Sequence, residues 1–370
     1  MIKFIRVLVA LVLLAVISVS GGPALVAGQS TGASASIEDF PPMPSDHPPG
    51  ASSTARTTAT AMGRGVNFGN MLEAPREGDW RITVRDEFID VTAHAGFATV
   101  RLPVRWSNHA AATAPFTIDQ PFFARVESVV DKLLAKGLYV VLNMHHYRQL
   151  DGDALDRGEF PVDDAVLNMR FIILWQQIAE RFRDKNDHLL FELYNEPHGR
   201  LIPQWNDLAA RALAVVRKTN PTRIVVISPP LWAQAKALSS LRLPNDANLI
   251  VTVHNYQPFA FTHQGATWIH PVPPTGVLCC NAHQQAAAIA PLATAKAWSD
   301  AAGYPIFLGE FGSNSKADMP SRVTFTRLMR DQAESRGFSW SYWELASGFG
   351  LYDPVAHAWR APLKDALLGH

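Results

Sequence analysis

The sequence has few cysteines and no surplus of charge of either sign. Only two of its 370 residues are cysteine, the adjacent Cys279 and Cys280, so a scaffold built from disulfides is excluded. Without a third cysteine this pair is weak evidence for a metal site, and the sequence leaves its redox state open. The 33 basic residues balance the 33 acidic ones. This balance argues against nucleic acid or an anionic membrane as the main partner, and it suits a neutral ligand.

Long apolar runs are also scarce, apart from one at the N-terminus. Residues 1–28 carry Lys3 and Arg6 ahead of an apolar core, which small residues around Ala27 and Gly28 follow. This layout is typical of a secretory signal peptide, with an uncleaved signal anchor as the alternative. No later stretch is long and apolar enough to span a bilayer. We therefore expect a secreted protein, extracellular or periplasmic, that has no membrane contact after cleavage.

Residues 29–61 consist mostly of serine, threonine, alanine, proline and glycine. Such a segment buries too little apolar surface to offset the entropy of ordering, so the sequence predicts a flexible tether. Residues 62–370 are expected to form one folded domain. The composition, 48% hydrophobic and 18% charged, is typical of a globular protein. We expect this protein to be a monomer.

Short apolar runs alternate with longer amphipathic ones along the whole of the predicted domain. The strand candidates cover residues 65–70, 98–103, 138–144, 189–195, 223–228, 249–254, 305–310 and 338–344. Eight strands that alternate with helices imply a parallel sheet with right-handed crossovers. An eight-stranded (β/α)8 TIM barrel of the α/β class needs about 250 residues and fits this length. A doubly wound open sheet is the alternative, although no glycine-rich phosphate loop follows the first strand.

Polar and aromatic side chains gather where the predicted strands end. In chain order they are Asn70, Arg101, His145, His146, Asn195, Glu196, His254, Tyr256, Glu310 and Trp343. The fifth strand, which ends at Ser228, adds nothing distinctive. Barrel enzymes place their active sites at the carboxyl ends of the strands. Each residue alone could be structural, but the joint pattern predicts an active site on this rim.

Two residues of this set, Glu196 and Glu310, are carboxylic acids on the fourth and seventh strands. Across a barrel mouth such side chains can face each other, and two facing carboxyl groups are the minimum equipment for hydrolysing a glycosidic bond. A separation of about 5 Å would give retention of stereochemistry, whereas about 6.5–9.5 Å would leave room for a water and give inversion.

The neighbours of the two acids indicate different roles for them. Arg101 and Tyr256 are suitable donors to Glu310 and would keep it ionised as a nucleophile. Glu196 has no cation beside it in the sequence, so a raised pKa and an acid role fit it better. Asn195 can hydrogen-bond a sugar 2-hydroxyl, and Trp343 offers an apolar platform for a pyranose ring.

A metal-dependent hydrolase is an alternative, because His145, His146, His254 and a glutamate could bind zinc. Metal-dependent barrel hydrolases usually carry His-x-His on the first strand, where this sequence has "NFGN". Adjacent histidines also point to opposite faces of a regular strand. We therefore expect neither a metal nor an organic cofactor.

The motifs taken together resemble glycoside hydrolase family 5, the cellulase-type retaining barrels. They are "GRGVNFGNMLEAP", "VRLPVRW", "LNMHHY", "LYNEPHG", "VHNYQPF", "FLGEFG" and "YWELASGFGLYD", spread over residues 63–353. The resemblance implies that Glu196 is the general acid/base and Glu310 the nucleophile. It also implies that the surrounding constellation consists of Arg101, His145, Asn195, His254, Tyr256 and Trp343.

The resemblance leads us to expect a secreted endo-β-1,4-glucanase that acts on a β-glucan polysaccharide or oligosaccharide. Another retaining enzyme of the family remains an alternative: a β-mannanase, xyloglucanase, β-1,3-glucanase or β-glucosidase. A barrel that binds carbohydrate without catalysis is the alternative from a different class. Residues 261–285, which include Trp268 and the cysteine pair, depart from the family pattern as a long insertion that we expect to border the substrate groove.

Overall fold

A computed structural model describes residues 36–369 and shows a closed barrel of eight parallel strands in the order β1 to β8. The strands are β1 Arg64–Asn67, β2 Thr99–Leu102, β3 Tyr139–Asn143, β4 Leu189–Glu192, β5 Val225–Ile227, β6 Leu249–His254, β7 Ile306–Phe311 and β8 Ser339–Tyr342. A short antiparallel pair follows, β9 Tyr352–Asp353 with β10 Ala358–Trp359. The predicted (β/α)8 barrel is confirmed.

Helices and short helical turns connect the strands within the described residues. The α-helices are α1 Ser53–Met62, α2 Asp86–Ala95, α3 Gln120–Ala135, α4 Arg148–Asp151, α5 Leu167–Arg181, α6 Trp205–Thr219, α7 Pro230–Ala233, α8 Phe259–Thr262, α9 Ala282–Ala302, α10 Met319–Glu334 and α11 Ala361–Leu368. The 3₁₀ turns are Ile37–Asp39, Trp106–His109, Asp164–Val166, Gly199–Gln204 and Ala235–Ser240. None of these helices is long and apolar enough to cross a membrane.

The helix boundaries follow from local signals in the sequence. Helix α3 begins after Asp119, whose carboxylate accepts a hydrogen bond from the backbone N–H of Phe122 at 3.1 Å. Asp318 caps α10 in the same way through Ser321 at 2.9 Å. A proline occupies the first turn of both helices, where its missing N–H has no intrahelical partner to lose.

The barrel strands are buried except for Arg64 at the start of β1 and Tyr139 at the start of β3, because the main hydrophobic core fills the space between them and the surrounding helices. Every residue of β6 and of β7 is buried, which explains why these sequences show little alternation. Strand β4 is shorter than predicted. It ends at Glu192 rather than at Asn195, so Asn195 and Glu196 lie on the loop that follows it.

The prediction that residues 29–61 form a flexible tether is wrong for the part that builds α1. Ser52 caps this helix by accepting a hydrogen bond from the N–H of Ala55 at 3.1 Å. Ala55, Ala59 and Met62 lie on one face of the helix and are buried against strand side chains of the barrel interior. Because β1 starts directly after α1, the helix closes the amino-terminal end of the barrel. Three small or apolar side chains at helical spacing are enough to pack α1 against the barrel. The prediction missed them because it rested on the overall composition of residues 29–61.

The long segment after β6 is braced by internal hydrogen bonds, and the backbone N–H of Cys279 ties it to the domain by donating to Oγ of Ser321 at 3.0 Å. The side chain of Gln264, which is buried, accepts from the N–H groups of Gly276 and Val277 and donates to the carbonyl of Val277. Cys279 and Cys280 are joined in a disulfide, which answers the question that the sequence left open. Helix α9 begins inside the predicted insertion. The predicted signal peptide lies outside the described residues.

Candidate active site

A groove of about 1220 Å³ opens at the carboxyl ends of the strands. Nine of the ten predicted site residues line it: Asn70, His145, His146, Asn195, Glu196, His254, Tyr256, Glu310 and Trp343. The tenth, Arg101, is fully buried and contacts Glu310 and Asn195. The fold therefore brings together every residue that the sequence analysis assigned to the site.

Glu310 is held by two donors at the end of β7. Nη1 of Arg101 donates to Oε1 at 2.6 Å, and the hydroxyl of Tyr256 donates to Oε2 at 2.8 Å. Burial raises the pKa of Glu310, while His254, Arg101 and the hydrogen bond from Tyr256 act to lower it. The hydrogen bonds fix both oxygens of the carboxylate, but burial outweighs them and leaves the pKa of Glu310 above its ordinary value, against the expectation that these donors lower it.

Arg101 has a second carboxylate partner that the sequence analysis missed. Its Nε and Nη2 atoms donate to the two oxygens of Glu192, each at 2.7 Å. Nη2 also donates to Oδ1 of Asn195 at 2.6 Å, and Nη1 to Oδ1 of Asn67 at 3.0 Å. Glu192 is fully buried in β4. Its position inside the apolar run "LLFEL" was the available signal, since a buried charge needs a partner.

Glu196 occupies a different environment on the loop after β4. Oε1 lies 2.7 Å from Nδ1 of His254, and no lysine or arginine among the described residues forms an ion pair with it. Burial raises the pKa of Glu196 to about 7, although the charges of His198 and Arg101 oppose this. Burial also lowers the pKa of His254 to about 4, so its imidazole is neutral at pH 7. Glu196 can therefore hold a proton at a pH at which an ordinary glutamate has lost it.

The two carboxyl groups face each other across the groove. One oxygen of Glu196, one oxygen of Glu310 and a ring nitrogen of His254 all lie within 4.8 Å of one another. This spacing is shorter than the separation of about 6.5–9.5 Å that leaves room for a water between two carboxyl groups. The three side chains are also the set that could bind a cation. The guanidinium of Arg101, already bonded to Glu310, opposes this by charge repulsion.

Aromatic and polar side chains line the groove beside these acids. The indole of Trp343 is stacked on the ring of His145, with centroids 5.7 Å apart. A methyl group at Gly69 would come within 2.9 Å of Cη2 of Trp343, so the glycine makes room for the indole. Burial holds the pKa of His145 well below its ordinary value, which leaves a neutral imidazole in the groove. Asn195 is oriented by its bond from Arg101.

Asn70 and His146 occupy the rim near β1 and β3. Asn70 has a positive φ of 65°, and its backbone N–H donates to the carboxylate of Glu73. The ring of His146 lies edge-on to Trp80, with centroids 6.0 Å apart. Both side chains line the groove without touching either acid, so they bound the site rather than build its centre.

The sequence analysis anticipated one further aromatic residue of the groove lining and missed several others. Trp268 of the segment after β6 lines the groove, so that segment borders the site as expected. The missed lining residues are Trp80, Trp232, Phe259, His263 and Phe349. Trp232 follows β5, the strand that the sequence analysis found undistinguished. The exposed fractions of Trp80, Trp232 and Phe259 lie between 36% and 45%, which is high for aromatic residues and typical of ligand platforms.

Comparison with protein families gives one match that covers most of the chain. The family described as cellulase (glycosyl hydrolase family 5) matches residues 60–348. Endoglucanase H of Acetivibrio thermocellus is 36% identical over 314 residues, which are 83% of this chain but 33% of that protein. Endoglucanase A of Clostridium longisporum is 28% identical, over 83% of this chain and 64% of its own length. The chain thus spans less than two thirds of either relative.

Two solved structures are matched over nearly their whole length. An endoglucanase structure has 42% identity and a TM-score of 0.81, covering 85% of this chain and 100% of that one. Endoglucanase Cel5A of Thermotoga maritima has 41% identity and a TM-score of 0.80, with 85% and 99% covered. Structures of that enzyme have been described with cellobiose and with mannotriose.

Proposed function

The chain belongs to the cellulases of glycosyl hydrolase family 5, and from this premise we propose that it is a secreted, retaining endo-β-1,4-glucanase. One observation carries the proposal. Oxygens of Glu196 and Glu310 lie within 4.8 Å of each other, and only Glu310 is held by a cation. A close pair of carboxyl groups with different environments is the arrangement that double displacement needs.

In the first step, the Glu310 carboxylate attacks the anomeric carbon while Glu196 gives its proton to the departing glycosidic oxygen. The glycosidic C–O bond breaks, a glycosyl ester forms on Glu310, and the shortened glucan leaves with a new hydroxyl group. In the second step, the Glu196 carboxylate removes a proton from water. That water displaces Glu310 from the sugar, so both acids return to their starting states.

The other side chains of the site would assist these steps. Arg101 and Tyr256 would orient the two oxygens of Glu310 and stabilise its negative charge before the ester forms and again when water releases it. Asn195 would donate to the 2-hydroxyl of the reacting sugar, and Trp343 would stack on its apolar face. None of these steps is routed through a metal or an organic cofactor.

Endo action on a glucan is supported by the shape of the groove and by the relatives. The volume of about 1220 Å³ exceeds the 300–1000 Å³ that is usual for a small-ligand pocket. The indoles of Trp80, Trp232 and Trp268, which come from the segments after β1, β5 and β6, add to the aromatic lining of this groove. The relatives carry the name endoglucanase. One chain supplies every side chain of the site, so we expect a monomer.

Export is a further part of the proposal. The cationic start and apolar core of residues 1–28 support a cleaved signal peptide, and a polymeric substrate is accessible only outside the cell. N-terminal sequencing of protein recovered from the medium or periplasm tests this. We expect a mature chain that starts close to residue 29, whereas an intact N-terminus would contradict it.

β-Mannan is a second candidate substrate, because Cel5A of Thermotoga maritima has been described in complex with mannotriose. A panel of carboxymethylcellulose, β-mannan, xyloglucan, laminarin and aryl β-glucosides separates the possibilities. We expect the highest kcat/KM on the β-1,4-glucan, together with a rapid fall in viscosity that marks internal cleavage. Turnover of aryl β-glucosides alone would contradict endo action. Glu310→Ala should abolish activity on every substrate, whereas Glu180→Ala, a surface carboxylate, should not.

A further inference from the structure

The imidazole of His198 is hydrogen-bonded to the backbone carbonyl of the acid Glu196. Its Nδ1 atom lies 2.6 Å from the carbonyl oxygen of Glu196. A carbonyl can only accept a hydrogen bond, so Nδ1 carries the proton and donates it. The carbonyl belongs to the same residue whose carboxyl group faces Glu310 across the groove. A shift of the imidazole would therefore shift the backbone from which that carboxyl group projects.

Two acidic groups also contact His198, one at the other edge of its ring and one at its backbone, and Oδ1 of the latter, Asp151, lies 3.5 Å from Nδ1. Nε2 lies 3.2 Å from Oδ2 of Asp153, and the backbone N–H of His198 donates to Oδ1 of Asp151 at 3.3 Å. Asp151 is buried and also accepts from the hydroxyl of Tyr194 at 2.5 Å. The side chain of His198 is only 15% exposed. These contacts leave the ring little freedom to rotate.

The face of the same ring is covered by Trp232. The two rings are stacked, with centroids 4.8 Å apart and planes 17° from parallel. The backbone N–H of Trp232 also donates to the carbonyl of Pro197 at 3.2 Å. Leu231, Trp232 and Ala233 have φ angles of 60°, 57° and 53°, a left-handed conformation that costs about 1–2 kcal/mol for each non-glycine residue. This left-handed stretch of backbone is the segment that carries Trp232 to the ring of His198.

We propose that His198 is a positioning residue for the proton transfer, in which its Nδ1–H bond to the carbonyl of Glu196 aims the acid at the glycosidic oxygen. The inference rests on the proposed function, since it assumes that Glu196 is the acid. His198 does not itself reach the reacting atoms: its ring is occupied on one edge by the Glu196 carbonyl, on the other by Asp153 and on a face by Trp232. Its effect is the alignment of another side chain, and small misalignments of a reacting group are costly.

Two substitutions separate the hydrogen bond from the bulk of the ring. His198→Asn keeps an N–H donor near the position of Nδ1 and removes the ring face that meets Trp232. His198→Phe keeps a ring against Trp232 and removes the donor. The measurement is kcat/KM on aryl β-cellobiosides whose leaving groups have graded pKa values, which isolates the first chemical step. Poor leaving groups need the proton from Glu196, and very good ones do not.

We expect His198→Phe to lower kcat/KM about tenfold on the poorest leaving group and less than about twofold on the best, because only the former needs general acid catalysis. His198→Asn should keep the wild-type dependence on the leaving group. Thermal unfolding identifies a variant that does not fold, and His198→Ala then replaces His198→Phe, because it also lacks the donor.

Three results would overturn the inference. The first is that kcat/KM of His198→Phe depends on the leaving-group pKa as the wild type does. The second is that His198→Asn shows as steep a dependence as His198→Phe. The third is an equal loss of kcat/KM on all substrates, which a purely structural role predicts. Glu196→Ala serves as the reference, with the steepest dependence of all. If the wild-type enzyme is inactive on every aryl β-cellobioside, or if Glu196→Ala keeps full activity, the proposed function fails instead.

Discussion

Replacing Arg101 by methionine should both destabilise the protein and remove its hydrolytic activity. The guanidinium is fully buried and donates five hydrogen bonds of 2.6–3.0 Å. Two of its partners, Glu192 and Glu310, are carboxylates, and 0% and 5% of their respective surfaces are exposed. Methionine fills a similar volume but leaves both carboxylates without a counter-ion.

The size of the effect follows from this burial. Breaking a buried ion pair by removing one partner costs about 3–5 kcal/mol, which is a large part of the stability of a typical domain. Loss of Arg101 also raises the pKa of Glu310 further, since Arg101 acts to lower it. A raised pKa in the folded state contributes stability at low pH that is lost as pH rises through that pKa. The destabilisation should therefore grow between mildly acidic and neutral pH.

Chemical denaturation and steady-state kinetics test this together. We expect the free energy of unfolding to fall by about 3–5 kcal/mol, and kcat on a β-glucan to fall by about 100-fold or more, because the nucleophile is displaced. Arg183→Met is the control. Its ion pairs are at the surface, with half of the side chain exposed, so it should cost less than about 1 kcal/mol.

A double variant makes the test of Arg101 sharper. Arg101→Met combined with Glu192→Met replaces a buried ion pair by apolar side chains, which should recover stability relative to Arg101→Met but not activity. The reasoning is refuted if Arg101→Met is as stable and as active as Arg183→Met. It is also refuted if the double variant is no more stable than the single one.

Three further predictions concern the acid, the sugar platform and the helix that closes the barrel. The pKa of about 7 that burial gives Glu196 predicts that kcat/KM falls as pH rises above 7, because the proton to be donated is lost. A substrate with a very good leaving group needs no proton, so its kcat/KM should lack this alkaline limb both in the wild type and in Glu196→Ala. Gly69→Ala places a methyl group 2.9 Å from Cη2 of Trp343. Activity assays should show about a tenfold loss of kcat/KM, and the melting temperature should also fall, because the methyl group overpacks a buried position. Ala59→Asp places a charge in the buried face of α1, and denaturation should show a loss of about 3 kcal/mol without a change in KM.

Each of these has a result that contradicts it. An alkaline limb that survives in Glu196→Ala would assign that ionisation to another group. Wild-type activity in Gly69→Ala would show that the indole position does not matter for the reaction. Thr57→Asp is the control for the helix, because Thr57 lies on the exposed face of α1. Equal stability of Thr57→Asp and Ala59→Asp would show that α1 does not seal the barrel.

The sequence was sufficient for the order of the strands and for the residues at their ends. The bounds of β6, Leu249–His254, coincide with the predicted strand, because its apolar run is bounded by polar residues on both sides. The two acids could be found because each ends a recognisable strand motif and the barrel places those ends on one rim. The distance between them could not be found, since it depends on how the loop after β4 turns Glu196 toward Glu310.

Contacts between distant segments are what the sequence did not reveal. Arg101 and Glu192 are 91 positions apart, and only the closed barrel places their side chains together. Helix α1 has a composition that is typical of a linker, and its role depends on the open end of the barrel that it covers. Trp232 projects into the groove because Leu231, Trp232 and Ala233 adopt left-handed angles, for which no glycine gave a signal.

The most direct test of the central claim is to trap the covalent intermediate. A 2-deoxy-2-fluoro-β-cellobioside with a good leaving group slows both steps and should accumulate as a glycosyl ester. Peptide mass spectrometry should then find one added 2-deoxy-2-fluorocellobiosyl group, carried by the peptide that contains Glu310 and absent from the Glu310→Ala enzyme. A label on Glu196, or no label while the first product formed is the inverted α-anomer, would contradict retention with Glu310 as the nucleophile.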